Sequence, residues 1–519
     1  MVRLKSYVLD AWREGDAPFR TLVNPATEQP VAETSTRGLD FAAVHRHARE
    51  VGGPALRSLS FAERGALLKA MSRALYAQRE RLIEVAIANG GNTRGDAKFD
   101  IDGATGTLSY YASLGKQLGD AKWLVDGEAE QLTRSSARFY GLHLRVPRRG
   151  AAVHINAFNF PAWGTFEKAA VALLAGVPVI TKPATSTAWL TYEMVKILVD
   201  EAVLPAGALQ LLVGSTGDLL DHVDGQDIVA FTGSADTGAA LRGGAGPVSA
   251  STAINVEADS LNASVLGPDV DPGSDLWSWF VNGVVREMTQ KSGQKCTAIR
   301  RVFAPEARLD ALRDALAEEL DRLVIGDPAD PEVRMGPLTT ASQLRDYREG
   351  VALLSSEGRI VYGSTDPVDA KGVPAGTGYF AGPVILRCDA PREARHVHGH
   401  EVFGPVVTLM PYDGTAEDAA ALVAKGGGML ATSLATNDRS LLGALALELA
   451  PYNGRLLLVD KKVADQATPH GMVLPNLVHG GPGRAGGGEE LGGLRGLEHY
   501  TQRVALQGNR GLLEKLFVP

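Results

Sequence analysis

The sequence predicts an α/β protein built on doubly wound parallel sheets. Short apolar runs alternate with helical stretches, candidate polar residues stand where those runs end, and a second set of strands repeats the pattern further on. The runs Ala151–Ile155, Val177–Thr181, Leu209–Val213 and Ile228–Phe231 lack polar alternation, as expected of strands covered on both faces. Helical stretches separate them, Phe166–Ala175 and Leu190–Ala202 among them, and that rhythm implies a doubly wound sheet. Upstream, residues 40–90 read as helical, with Leu67, Leu68, Met71 and Leu75 at helical spacing after Phe61. Downstream, Leu309, Leu312, Leu316, Leu320 and Leu323 step by three and four, which predicts an amphipathic helix over Glu306–Val324. Val406–Met410, Leu430–Ala435 and Arg455–Val459 read as strands of another sheet. Gly363–Gly382 reads as a long surface loop. Gly480–Gly496 holds nine glycines, a composition that by itself suggests a flexible linker.

Composition narrows the class. The chain has 519 residues, enough for roughly three domains. Hydrophobic residues make up 45% and charged residues 22%, ordinary for a globular protein. The net charge of −8 disfavours nonspecific binding to nucleic acid or to an anionic membrane. With two cysteines, Cys296 and Cys388, neither a disulfide framework nor a CxxC metal site can be built. The N-terminus lacks the apolar run of a signal peptide, and the longest apolar stretch, Ala169–Ile180, is too short to span a bilayer. A cytoplasmic protein with reduced thiols and no metal is the expectation.

Four places can carry chemistry. Cys296, in Gly293-Gln294-Lys295-Cys296-Thr297, lies between a predicted helix, Leu276–Lys291, and a strand, Arg300–Ala304. A cysteine at such a turn can be partly exposed, with backbone N–H groups nearby to stabilise a thiolate, although a free cysteine is more often a small core hydrophobe. Glu257 follows a predicted strand, Thr252–Val256, at the carboxyl end where catalytic groups of open α/β sheets gather. Near an apolar floor its pKa is expected to rise, suiting a general base; the alternative is a solvated turn carboxylate. Asn159, in Phe158-Asn159-Phe160-Pro161, can aim its amide at an oxyanion or simply cap the following helix. Phe231-Thr232-Gly233-Ser234 joins a strand to a helix, where Gly233 permits close approach and Ser234 can hold a phosphate. Lys182, after another strand, can reach a ribose or phosphate.

Taken together and in this order, with Lys182-Pro183-Ala184 and Glu401-Val402-Phe403-Gly404-Pro405-Val406, these elements resemble the aldehyde dehydrogenase superfamily over nearly the whole chain. The resemblance implies a Rossmann-type cofactor domain over 1–258 with a flap segment near 125–150. It also implies a catalytic domain over 259–475, and a segment 476–519 that completes the cofactor domain and an oligomerisation flap. It implies Cys296 as nucleophile, Glu257 as general base, and Asn159 with the Cys296 N–H as the oxyanion hole. Lys182, Phe231, Gly233 and Ser234 would contact the cofactor, Glu401 would hold the nicotinamide ribose and Phe403 would pack beside the nicotinamide. Glu490 resembles a family glutamate near the water path. A homodimer or dimer of dimers is expected.

Departures from the family pattern refine this. Many NAD-dependent members carry a Glu after Lys-Pro-Ala; here Thr185 and Ser186 follow. A carboxylate there repels a 2′-phosphate and hydroxyls can bond to it, so NADP is expected; the alternative is that Thr185 only caps a helix. Glu257 opens Glu257-Ala258-Asp259-Ser260-Leu261-Asn262 in place of the usual Glu-Leu-Gly-Gly. That run, with Val153–Phe160, Arg286–Arg301 and His479–Arg495, resembles the semialdehyde dehydrogenases of CoA-dependent aromatic degradation. The substrate implied is a CoA-linked semialdehyde, and the Gly-rich tail becomes an ordered segment. One branch of that subgroup, in phenylacetate breakdown, is fused to a hydratase. This chain stops at Pro519, which fits the stand-alone branch of benzoate breakdown. Members that pass the acyl group to free CoA commonly lack the base, so Glu257 favours water as acceptor. The residues also leave room for a general aldehyde dehydrogenase or a noncatalytic scaffold; retention of Cys296, Glu257 and Asn159 together argues against the scaffold.

Overall fold

The computed structural model describes residues 1–518. Two seven-stranded sheets carry the fold. In the first, Ala253–Glu257, Ile228–Thr232, Ala152–Ile155, Val179–Lys182 and Leu209–Leu211 run parallel, in that spatial order. Ser6–Val8 and Ala11–Arg13 extend its edge antiparallel. The chain builds outward from Ala152–Ile155 in one direction and then returns to its other side at Ile228–Thr232. Such a reversal of strand order opens a crevice at the carboxyl ends of the strands, where Thr232 and Glu257 lie. In the second sheet, Val384–Arg387, Val406–Tyr412, Arg301–Pro305, Ala263–Leu266, Met429–Ala435 and Asn453–Val459 are parallel, with Arg359–Tyr362 antiparallel at one edge. The five parallel strands of the first sheet, with Arg301–Pro305, Val406–Tyr412, Met429–Ala435 and Asn453–Val459, lie within a few residues of the predicted ones, because buried parallel strands read as unbroken apolar runs; Ala263–Leu266, Val384–Arg387, Arg359–Tyr362, Ser6–Val8 and Ala11–Arg13 were not predicted.

Capping fixes the helix starts. Ser60 Oγ accepts from the Glu63 amide and the Glu63 carboxylate accepts from the Ser60 amide, so the Phe61–Ala77 helix begins at the predicted residue. The helix after Asn159 begins at Trp163, two residues beyond Pro161, and Asp100 rather than Asn159 accepts from its first amide at 2.7 Å. This Trp163–Ala175 helix is covered nearly all round, as its largely apolar sequence requires, so its Glu167 and Lys168 are carried into the interior.

The glycine-rich tail is ordered. Val478–Gly480 and Glu489–Leu491 form a hairpin in which His479 pairs with Glu490. Between them the chain lies on the strand that ends in Glu257: the Ala258 amide donates to Ala485 O at 3.0 Å and the Gly488 amide to Val256 O at 3.1 Å. A Cβ on Gly486 would stand 2.2 Å from Val256 O, and its φ is +103°, so only glycine allows this approach. Thr501–Asn509 then pairs antiparallel with Ser136–Pro147. Among the described residues, no helix is long and apolar enough to cross a membrane.

Candidate active site

Cys296 follows a loop in which Lys291, Ser292 and Gly293 all have positive φ, at 52°, 54° and 70°. Two non-glycine residues in that region are strained, and several contacts hold them there. Lys291 Nζ lies 3.6 Å from the buried Asp100 carboxylate and over the Phe160 ring. Ser292 Oγ donates to Gly336 O at 2.7 Å. Arg300 donates to Gly293 O and Gly404 O at 2.9 and 3.0 Å. Asn262 fixes the nucleophile segment from behind, donating from Nδ2 to Cys296 O at 2.8 Å and Ala298 O at 2.9 Å. Next to Cys296, Lys295 pairs with the buried Glu287 at 2.8 Å.

This loop brings Cys296, partly exposed, to Glu257 and His479: one ligand atom from each lies within 4.8 Å of the other two. His479 Nε2 is 3.2 Å from Glu257 Oε1, and Thr232 Oγ1 donates to Glu257 Oε2 at 3.3 Å. Behind them, Glu167, Glu257 and Glu490 converge to within 4.8 Å. Lys168 Nζ lies 3.0 Å from Glu490 and 3.5 Å from Glu167. Three buried carboxylates face one lysine and one histidine, so the cluster retains a proton among its acids near neutral pH. Burial, reinforced by the neighbouring carboxylates against Lys168, pushes Glu167 up to about 7, which makes it the holder of that proton.

The electrostatics correct one expectation. Glu257 was expected to have a raised pKa. Burial does push it up, but His479, Lys168 and a hydrogen bond from the Cys296 thiol outweigh burial and hold it below the usual carboxylate range. Burial and the Glu257 charge both push the Cys296 thiol well above its ordinary value, so at rest it keeps its proton. A thiolate therefore forms only when the thiol proton has an acceptor.

Two cavities meet at this pair. Cys296, Glu257, Asn159 and Thr232 line both. The inner one, about 40 Å³, is walled by Phe99, Phe160, Trp163, Val473 and His479. The outer one, about 810 Å³, opens at the carboxyl ends of the first sheet and takes in Phe231, Gly233, Ser234, Glu401 and Phe403. Asn159 is buried, and among the described residues its side chain makes no hydrogen bond, leaving its amide free for a ligand. Glu401 accepts from the Ser260 amide at 3.0 Å and from Arg300 at 3.2 Å, and burial pushes its carboxyl up to about 7. Phe403 stands edge-on to Phe158, ring centres 5.8 Å apart, with the Arg300 guanidinium over its face. Ser234 caps the Ala235–Arg242 helix by accepting from the Thr237 amide at 3.3 Å.

Of Lys182, Thr185 and Ser186, none lines the outer cavity; only the intervening Ala184 does. Lys182 is buried and donates to Pro183 O at 3.3 Å, and burial, with Arg20 adding to it, pulls it down to about 8. Thr185 caps no helix: its hydroxyl donates to Gly214 O at 3.0 Å. Sequence reasoning did not single out Glu167, Lys168, Asn262, Arg300 or His479. The one available signal was the repeated occurrence of charged or amide residues inside otherwise apolar or glycine-rich runs.

A doubly wound sheet with a nucleophile and a carboxylate at the mouth of its crevice defines a class. The sequence pattern of the Aldehyde dehydrogenase family matches residues 12–505, and the chain belongs to that family. It is therefore an oxidoreductase. It is similar to the 3,4-dehydroadipyl-CoA semialdehyde dehydrogenase of Aromatoleum evansii, 44% identical over 484 residues, covering 93% of each chain. Among solved structures it resembles lactaldehyde dehydrogenase from Escherichia coli, with a TM-score of 0.84 at 23% identity, covering 98% of this chain and 99% of that one. PnpE in complex with nicotinamide adenine dinucleotide superposes with a TM-score of 0.84 at 23% identity, over 98% and 97% of the two chains. Likeness at this level of identity speaks to the fold.

Proposed function

We propose that the chain oxidises a CoA-linked semialdehyde, 3,4-dehydroadipyl-CoA semialdehyde, to the acid with NADP, through a thioester on Cys296. One observation carries the reading: Cys296 and Glu257 stand at the junction of an inner aromatic-walled cavity and an outer cavity large enough for a dinucleotide. The name of the Aromatoleum relative supports the substrate.

The outer cavity fits a nicotinamide dinucleotide by its donor set. Glu401 offers carboxylate oxygens to a ribose, Phe403 a flat wall, and Ser234 a hydroxyl at a helix N-terminus suited to a phosphate. The position after Lys182-Pro183-Ala184 holds Thr185 and Ser186, which bring no carboxylate to repel a 2′-phosphate, although only Ala184 of this segment lines the outer cavity. These features favour NADP over NAD. When bound, the cofactor supplies the hydride acceptor.

The chain's own residues do the rest. Cys296 gives up its proton toward Glu257 and the sulfur attacks the aldehyde carbon, forming a thiohemiacetal. The Asn159 amide and the Cys296 N–H face the oxygen that becomes negative. Departure of the hydride leaves a thioester on Cys296. Glu257, having passed the thiol proton on to solvent, takes a proton from water, the resulting hydroxide attacks the thioester carbon, and the C–S bond breaks to release the acid while the sulfur recovers a proton from Glu257. Assembly as a homodimer or dimer of dimers is part of the same reading.

The test is product analysis with the CoA-linked semialdehyde and with free aldehydes, under NADP and under NAD, with and without added CoA. Acid formed from the CoA-linked substrate with NADP, independent of added CoA, is expected. A new thioester formed only when CoA is added would overturn hydrolysis. Near-normal turnover in Cys296→Ala would overturn the nucleophile.

A further inference from the structure

His479 has no task in the mechanism above, yet its ring lies within hydrogen-bond distance of the base. Its ring is 3% exposed and walls the inner cavity beside Cys296. Nε2 is 3.2 Å from Glu257 Oε1, while Nδ1 is buried with no partner. Those two facts pull in opposite directions. A doubly protonated ring is stabilised by the carboxylate on one side but leaves a charged N–H unsatisfied on the other. A neutral ring protonated at Nε2 keeps the hydrogen bond and leaves only a lone pair unpartnered, which costs less. Burial lowers its proton affinity, and Glu257 more than restores it, so the ring gains its proton above the ordinary histidine range.

We propose that His479 is a positioning residue that sets the base strength of Glu257: protonated, it clamps the carboxylate in an ion pair; neutral, it leaves the carboxylate free to take a proton from water. The inference rests on the thioester reading of Cys296. In deacylation a proton leaves water for Glu257 Oε2 and the hydroxide oxygen bonds to the acyl carbon. The C–S bond then breaks and the departing sulfur recovers a proton from Glu257. With the ring already charged, protonating Glu257 would strip the imidazolium of its counter-ion inside a buried site, so that form is slow. The neutral ring carries no such penalty, and its Nε2–H steadies Oε1.

Other groups face the ring. Glu257 comes from the Ala253–Glu257 strand, Cys296 from the nucleophile loop, and Glu167 and Lys168 from the Trp163–Ala175 helix. Glu490 lies opposite it in the tail hairpin, and Arg455 comes from the Asn453–Val459 strand. Of these, Glu167 is itself pushed up to about 7, so its titration has to be separated from that of His479 by experiment.

The experiment uses p-nitrophenyl acetate and the full chain without cofactor. The burst of p-nitrophenol reports acylation of Cys296 and the following steady rate reports deacylation, in which the thiol no longer titrates. In the wild type the deacylation rate is expected to fall about tenfold per pH unit on the acid side, as required when one proton inactivates the base. His479→Gln keeps a neutral donor toward Glu257 but cannot take that proton. Its deacylation should change less than threefold between pH 6 and 8, and its advantage over the wild type should grow by about tenfold per pH unit down the wild-type acid limb. Glu167→Gln should keep the acid limb. Persistence of the limb in His479→Gln, or its loss in Glu167→Gln, would overturn the proposal. Absence of a burst from the wild type, or a burst retained in Cys296→Ala, would instead overturn the thioester reading. If His479→Gln does not fold, ring NMR of the wild type against Glu257→Gln decides. Proton affinity of the ring should drop at least tenfold in the variant, and an unchanged titration overturns the proposal.

Discussion

Replacing Glu257 by glutamine should slow turnover and at the same time make Cys296 more reactive. The carboxylate sits within 4.8 Å of the sulfur. At that separation, two unit charges repel by ~3.5 kcal/mol at an effective dielectric constant of about 20, or roughly 2.5 pKa units on the thiol. Removing the charge should therefore raise the thiolate fraction by ~300-fold. A less basic thiolate is intrinsically a poorer nucleophile, with a Brønsted slope of about 0.4–0.5, and this returns roughly a factor of 13. The net expectation is alkylation of Cys296 by iodoacetamide ~20-fold faster in Glu257→Gln, measured on the alkaline side of the His479 titration, where a charged imidazole no longer offsets the carboxylate. Mass spectrometry of the labelled peptide distinguishes Cys296 from Cys388, which is fully buried and serves as the internal control. Deacylation in the same variant should fall by about 10²–10⁴, the usual contribution of a general base. Alkylation that is unchanged or slower would refute the electrostatic account, whatever happens to turnover.

Thr185→Glu should weaken NADP binding by about 30-fold and change NAD binding less than threefold, measured by fluorescence titration; this is the scale of one carboxylate near a 2′-phosphate in a partly hydrated site. Lys182 is charged below about 8 and neutral above it, so NADP affinity should decline between pH 7.5 and 9 while NAD affinity stays level, a contrast that isothermal titration can read. Asn262→Ala removes donors to Cys296 O and Ala298 O and acceptors for Ser260 Oγ and the Ala431 amide. With ~1–3 kcal/mol for each orphaned buried group, and some relaxation, it should destabilise the chain by about 3–5 kcal/mol in urea titrations and lower kcat more than NADP affinity.

Most parallel strands were legible because residues covered on both faces cannot alternate, whereas the four-residue Ala263–Leu266 and Val384–Arg387 were too short to stand out; Phe61 was legible as a helix start from the leucine spacing after it, and the Ser60–Glu63 cap is what fixes that start. Cys296 and Glu257 were legible as a turn residue and a strand-end residue, and the structure brings them together. His479 was not, because its partner lies 222 positions away and a histidine in a glycine run has no periodicity to betray its direction. The misjudged proton affinity of Glu257 has the same origin. Burial is a local property that an apolar sequence announces, whereas the opposing groups arrive from a helix, a loop and the tail. Thr185 and Ser186 were read from their position after Lys182, yet the large cavity touches only Ala184, because the Thr185 side chain turns back to Gly214.

The tail hairpin also bears on biosynthesis. A ribosome makes Cys296 and Glu257 long before His479 and Glu490, which follow Glu257 by more than two hundred residues. Until that late segment docks, the thiol and the carboxylate stand in a half-walled groove without the imidazole and the lysine-paired glutamate behind them. A nascent or C-terminally clipped chain thus holds its sulfur but lacks the groups that govern it. Because Gly486 presses onto the Val256 backbone when the tail docks, even one added methyl there would oppose that last step.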